Sequence, residues 1–101
     1  MKIDLDDKRP TPDGWVRCYW PEEVITLLAK ENVTEVSLDH DLGDWTNTPE
    51  RTGYDVLGWL ECEVHDGGYQ NRPFPKIHVH SANPVARKRM EAAITAILKA
   101  L

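Results

Sequence analysis

Cysteine is scarce in this chain of 101 residues: Cys18 and Cys62 are the only two. They form neither a disulfide framework nor a Cys-rich zinc spacing, so a reduced, cytoplasmic setting is expected. An excess of basic charge is also lacking. Twelve Lys and Arg face 17 Asp and Glu, for a formal net charge of −5, which excludes a general nucleic-acid-coating role because backbone binding needs a basic surface. A local contact with an RNA end stays open. No apolar run reaches membrane-spanning length, and no basic-then-apolar leader opens the sequence, so no membrane association is expected. Internal repeats, low-complexity tracts and linkers are missing too. What remains is 41% hydrophobic and 29% charged, the balance of a soluble globular protein. Residues 1–101 are read as one domain with an ordinary core.

Strand-like and helix-like segments alternate along the chain. Residues 1–6 read as a strand, and Pro10-Thr11-Pro12-Asp13-Gly14 as a turn, because it joins two fixed φ angles to a residue that tolerates positive φ. Residues 15–19 read as a second strand. A helix opens at Pro21, where Glu22 and Glu23 complement its dipole, and Val24, Leu27 and Leu28 form its buried stripe. Residues 35–39 read as a third strand and 44–52 as a polar loop. Residues 53–65 read as a second helix with Tyr54, Leu57, Leu60 and Val64 on its apolar face; His65 in its last turn is taken as structural. Residues 76–80 read as a fourth strand. Asn83-Pro84 opens the last helix, on which Met90, Ala93, Ile94, Ile97, Leu98 and Leu101 recur at helical spacing. This alternation implies a four-stranded parallel sheet with right-handed crossovers, in the order 2-1-3-4. Its switch point, where ligands bind in open α/β sheets, falls between strands 1 and 3.

Three strand ends are polar: Asp6-Asp7, Asp39-His40-Asp41 before Gly43, and His80-Ser81. Converging carboxylates repel unless one is protonated or a divalent cation is bound. Oxygen ligands favour Mg²⁺, Ca²⁺ or Mn²⁺, so Asp6 or Asp7 with Asp39 is a candidate Mg²⁺ or Mn²⁺ pair. The plainer alternative is that these aspartates cap turns and helices. His78 and His80 share one side of their strand. His78, in mid-strand, is read as a satisfied core histidine, and His80, at the strand end, as a proton-transfer group. The turn at Ser81-Ala82-Asn83-Pro84 offers backbone N–H groups to an anion, although Asn83 is also an ordinary N-cap and Ser81 an ordinary turn residue. Arg9 is a further candidate phosphate contact. Arg87, Lys88 and Arg89 are read as a solvated basic face. Among Trp15, Trp20, Trp45 and Trp59, most are read as core or loop anchors and any could stack on a base.

Together these residues resemble the layout of response-regulator receiver domains. The resemblance is closer to one divergent branch, the cyclic-phosphate processing receiver-like family. It rests on Leu5-Asp6-Asp7-Lys8-Arg9-Pro10, Ser37-Leu38-Asp39-His40-Asp41-Leu42-Gly43, Thr52-Gly53-Tyr54-Asp55 and His80-Ser81-Ala82-Asn83-Pro84, in that order along nearly the whole chain. It implies a small receiver-like (flavodoxin-like) α/β fold, a three-layer sandwich around the 2-1-3-4 sheet. Asp6, Asp7 and Asp39 would hold Mg²⁺, and Ser81 would contact a phosphoryl group. Two departures matter. The usual fifth strand with its phosphoryl-pairing lysine is missing after the fourth, while His40 and Asp41 add acid–base groups.

The expected function is therefore a metal-dependent phosphoesterase acting on a cyclic phosphate, either an RNA 2′,3′-cyclic phosphate end or a cyclic nucleotide. Asp6, Asp7 and Asp39 would hold Mg²⁺ or Mn²⁺. His40 or His80 would move the proton, Asp41 would orient His40, and Arg9, Ser81 and Asn83 would grip phosphate oxygens. Two alternatives stand beside it: a receiver-like signalling module with Asp39 as phosphoryl acceptor, and a nucleotide-binding module without turnover. The partner is then a phosphorylated small molecule or an RNA end. The exposed edges of a four-stranded sheet also point to a homodimer through the fourth strand or the last helix.

Overall fold

A computed structural model describes residues 1–6, 10–39, 53–80 and 84–101. Of the residues singled out above, Asp7, Arg9, His40, Asp41, Trp45, Ser81 and Asn83 lie outside the described residues. The elements follow as β1 (Lys2–Leu5), β2 (Trp15–Cys18), α1 (Pro21–Lys30), β3 (Glu35–Asp39), α2 (Gly53–His65), β4 (Lys76–His80) and α3 (Pro84–Lys99). The four strands form one parallel sheet in the order β2-β1-β3-β4, so the expected fold class, topology and order hold. Strands 1 and 2 are a little shorter than the sequence pattern implied.

Every strand alternates, and the register stacks the alternation across the sheet. Ile3 pairs with Val36, which pairs with Ile77; Asp4 pairs with Ser37, which pairs with His78. Side chains of period two therefore sort into an apolar face and a polar face. The apolar face carries Ile3, Leu5, Cys18, Val36 and Leu38, all at most 1% exposed. Against it lie Val24 and Leu28 of α1, Val56, Leu57 and Leu60 of α2, and Met90 and Ile97 of α3, in one core cluster. Burying each such side chain contributes about 1.5–3 kcal/mol.

Handedness explains which face the helices take. The connections β2→β3 and β3→β4 step across the sheet in the same direction, and right-handed crossovers put both helices on one side. Accordingly α2 packs against both α1 and α3. The step from β1 to β2 runs the other way, and Pro10 and Pro12 of that connection lie on the opposite, polar face with Asp4, Trp15 and Ser37. Among the described residues, the three helices pack on the apolar face of the sheet.

Local chemistry sets the element ends. Pro21 occupies the first turn of α1, and the Glu23 carboxylate accepts the backbone N–H groups of Tyr19 and Trp20, each at 3.0 Å, satisfying donors ahead of the helix. At the end of α2, Gly67 adopts φ 84°. Gly67 N–H donates to the Val64 carbonyl at 3.2 Å and Gly68 N–H to that of Glu63 at 2.8 Å, the paired bonds of a Schellman ending. Two helix faces differ from expectation. Tyr54 points outward at 38% exposure while Val56 is buried in its stead, and Leu98 and Leu101 are 51% and 56% exposed beyond the buried part of α3.

Candidate metal and ligand site

The polar face concentrates its carboxylates on the central strand. Asp4 and Asp6 alternate with Ile3 and Leu5, so both are aimed away from the core, yet they are only 6% and 1% exposed. Backbone pairing continues past β1: Asp6 N–H donates to the Cys18 carbonyl at 3.1 Å, which fixes Asp6 beside β2. Two strands away, the His80 imidazole reaches back toward β1, with Nε2 3.9 Å from Asp4 Oδ1. In register, Ser37 stands between Asp4 and His78, whereas His80 lies one step further along, opposite Asp39. One ligand atom from each of Asp4, Asp6 and His80 lies within 4.8 Å of the others.

Buried anions close together are costly without compensation. Two carboxylate oxygens and an imidazole nitrogen at this separation suit a divalent cation, with Mg²⁺ and Mn²⁺ favoured by the oxygens and Mn²⁺ or Zn²⁺ tolerating the nitrogen. Asp39, 9% exposed, is the register partner of His80 but is not one of the three converging groups. Its carbonyl abuts the start of α2. A Cβ on Gly53 would stand 2.6 Å from that oxygen, so glycine lets the helix begin directly against the end of β3.

The cluster forms part of the lining of a cavity of about 310 Å³. Asp4, Asp6, Ser37 and His80 supply polar groups from β1, β3 and β4, whereas Trp15 on β2, with Pro10 and Pro12 from the short connection, supplies apolar surface. His78 completes the lining. It is not a core histidine: its side chain is 44% exposed and its Nε2 lies 3.1 Å from Glu35 Oε2. Lys2 joins the same patch, with Nζ 3.9 Å from Glu35 Oε1 and 5.7 Å from the Trp15 ring centroid.

Arg17 is the register partner of Asp4. Its Nε donates to Thr11 Oγ1 at 2.7 Å and its guanidinium stacks 5.3 Å from the Tyr19 ring, while Nη2 is buried without a hydrogen-bond partner among the described residues. On α3, Arg87 pairs with Glu91 at 3.8 Å and Arg89 covers the Tyr54 ring at 5.3 Å, the behaviour of a solvated helix surface. Cys18 faces the core, and burial, with Glu23 and Asp4 adding repulsion, pushes its thiol up to about 11.

Reading strand ends passes over Asp4 and Ser37 as site residues, and offers Trp15 only as one of four tryptophans that could stack on a base. The signal was present in the alternation of residues 2–6, 35–39 and 76–80. Parallel strands covered on both faces read as continuous apolar runs; these do not, which marks one face as open to a ligand.

The parallel 2-1-3-4 sheet with three helices defines a receiver-like α/β domain. More narrowly, a family model for the cyclic-phosphate processing receiver domain matches residues 1–96, and the chain belongs to that family. Comparison with curated proteins and with solved structures finds no match. Among the described residues, no helix is long and apolar enough to cross a membrane.

Proposed function

We propose that this domain is a metal-dependent phosphoesterase that opens a cyclic phosphodiester. The observation that carries the reading is the convergence of Asp4, Asp6 and His80 in a cavity of a cyclic-phosphate processing receiver domain. Asp6 and Asp4 would hold the cation, with Asp7 and Asp39 supplied by the ends of strands 1 and 3. A divalent cation there would neutralise charge gathering on the phosphoryl oxygens.

In the reaction, a water oxygen bonds to phosphorus and gives up a proton, one ring P–O bond breaks, and the departing ribose oxygen takes up a proton in its place. His40 or His80 moves that proton, and Asp41 orients His40. Arg9, Ser81 and Asn83 grip phosphate oxygens. The substrate is then a cyclic nucleotide or an RNA 2′,3′-cyclic phosphate end, in the cytoplasm.

The test is hydrolysis of 2′,3′-cyclic nucleotides with Mg²⁺, Mn²⁺ and Zn²⁺, followed by chromatography of the monophosphate products. Ring opening that needs the metal and vanishes in Asp6→Asn and Asp39→Asn is expected. His40→Gln and His80→Gln then separate proton transfer from ligation: the proton mover loses turnover at unchanged metal affinity. Absence of turnover with every metal, on nucleotides and on RNA ends alike, would overturn the reading.

The proposed homodimer uses the outer edge of β4 and the end of α3. There Phe74, Ile77, Ile94, Leu98 and Leu101 border a groove of about 450 Å³. Light scattering should give twice the 11.6 kDa chain mass; the single mass would remove this interface.

A further inference from the structure

Resting on the phosphoesterase reading, we propose that the Trp15 side of the cavity is the subsite that holds the nucleobase of a mononucleotide, making a single nucleotide rather than an RNA chain the substrate. Trp15 is half-buried on β2, on the same sheet face as Asp4, and it lines the same cavity as the acidic cluster. Pro10 and Pro12, across the short connection from β1, extend its apolar wall. The cavity thus has two chemically different ends: Asp4, Asp6 and His80 for a cation-bound phosphate, and an indole with two pyrrolidine rings for a flat, weakly polar body. A nucleotide has that same division, with charge at one end and a π-face at the other.

Three further observations favour this occupant. First, aromatic side chains hold bases through stacking, which every base can satisfy, while Ser37 and His78 offer hydrogen-bonding groups in the same cavity. Second, a cavity of about 310 Å³ lies at the small end of ligand pockets, the scale of one nucleotide. Third, the formal charge of −5 gives no basic track for a phosphate backbone leaving the cavity. Lys2 Nζ lies over the same ring, 5.7 Å from its centroid, a cation–π contact from a residue that is not among those lining the cavity.

The experiment measures binding, not turnover, so that it stands apart from the hydrolysis test. Affinities of a nucleoside 3′-monophosphate, ribose 5-phosphate and a six-nucleotide single-stranded RNA ending in a 3′-phosphate are compared by calorimetry in Mg²⁺. Wild-type protein should bind the nucleotide about 10-fold more tightly than ribose 5-phosphate, with no gain for the longer RNA. Trp15→Leu should bring the two small ligands level while leaving ribose 5-phosphate affinity unchanged, which also shows that the variant is folded. Trp15→Phe, which keeps a ring, should retain most of the preference. Equal wild-type affinity for nucleotide and ribose 5-phosphate, a preference that survives Trp15→Leu, or much tighter binding of the RNA would each overturn the subsite. Base-dependent binding without ring opening of cyclic nucleotides would leave the subsite standing and remove the hydrolase.

Discussion

The two faces of one sheet obey different physics here. On one, Ile3, Leu5, Val36 and Leu38 are sealed beneath three helices and contribute through area removed from water. On the other, Asp4, Asp6 and His80 crowd into a partly covered cavity, where burial opposes charge. Both arise from the same strands, one residue out of step. The comparison shows how a small domain separates stability from chemistry without separate structural units: the helix-covered face holds the fold, so the open face is free to hold groups that repel.

Substitutions on each face sharpen or break this division. The largest effect is expected in the core. Leu38→Ala, at a fully buried position, should cost about 2–5 kcal/mol in urea unfolding; a loss well below 1 kcal/mol would mean that the helix-covered face does not dominate stability.

On the open face, the effect should depend on metal. Asp4→Asn removes one of the proposed cation's ligands, and its melting is compared with that of the parent in chelator and in Mn²⁺. At about 100 times the dissociation constant, Mn²⁺ should stabilise the parent by about 2.7 kcal/mol and the variant far less. Equal stabilisation of both would break the assignment of Asp4 to a cation.

The seam between the faces is next. Gly53→Ala sets a methyl group 2.6 Å from the Asp39 carbonyl oxygen, and the forced shift should cost about 1–3 kcal/mol, read by the same unfolding assay. An unchanged midpoint would show that the start of α2 can move away from β3 freely.

The cysteines compare the interior with the surface. Cys62 is exposed and Cys18 buried, so one thiol should react with a disulfide reagent in native protein and two after unfolding. The Cys18 thiol rises from 9.0 to about 11, chiefly through burial. The folded state thus holds that proton more tightly than the unfolded chain does. The associated stability is fully present below pH 9 and fades as pH climbs through about 11. Chemical unfolding between pH 8 and 11 should show this decline, weakened in Cys18→Ala. The smallest effect is expected at Glu35→Gln, since its contact with His78 lies at the surface and such pairs contribute about 0–1 kcal/mol.

Much of the fold was legible because its signals are local. Residues 35–39, 53–65 and 76–80 have the bounds their periodicity implied, and Pro21 and Pro84 open helices as proline in a first turn should. Which face of the sheet the helices take was less legible. Counting elements says nothing of the side on which each connection crosses; that depends on the direction of each step through the sheet, and the step from β1 to β2 runs opposite to the others. The same nonlocality hid Asp4. Alone it is a mid-strand aspartate, and it gains meaning only when β4 brings His80 within 3.9 Å. Tyr54 was placed on the apolar face of α2 by spacing alone, whereas the structure gives that contact to Val56.

The short connection between β1 and β2 has a consequence for how such a domain can diversify. Residues 6–14 include Asp6 at one end and the two cavity-lining prolines further along. Lengthening or shortening that segment would shift a ligand for charge and a wall for shape in a single event. Under the proposed cation and nucleotide reading, a lineage changing its substrate by indels there would change metal preference at the same time, whereas point changes at Trp15 or Ser37 could alter what fits while leaving the ion chemistry alone. Innovation in pocket size is therefore constrained to proceed by substitution, one side chain at a time.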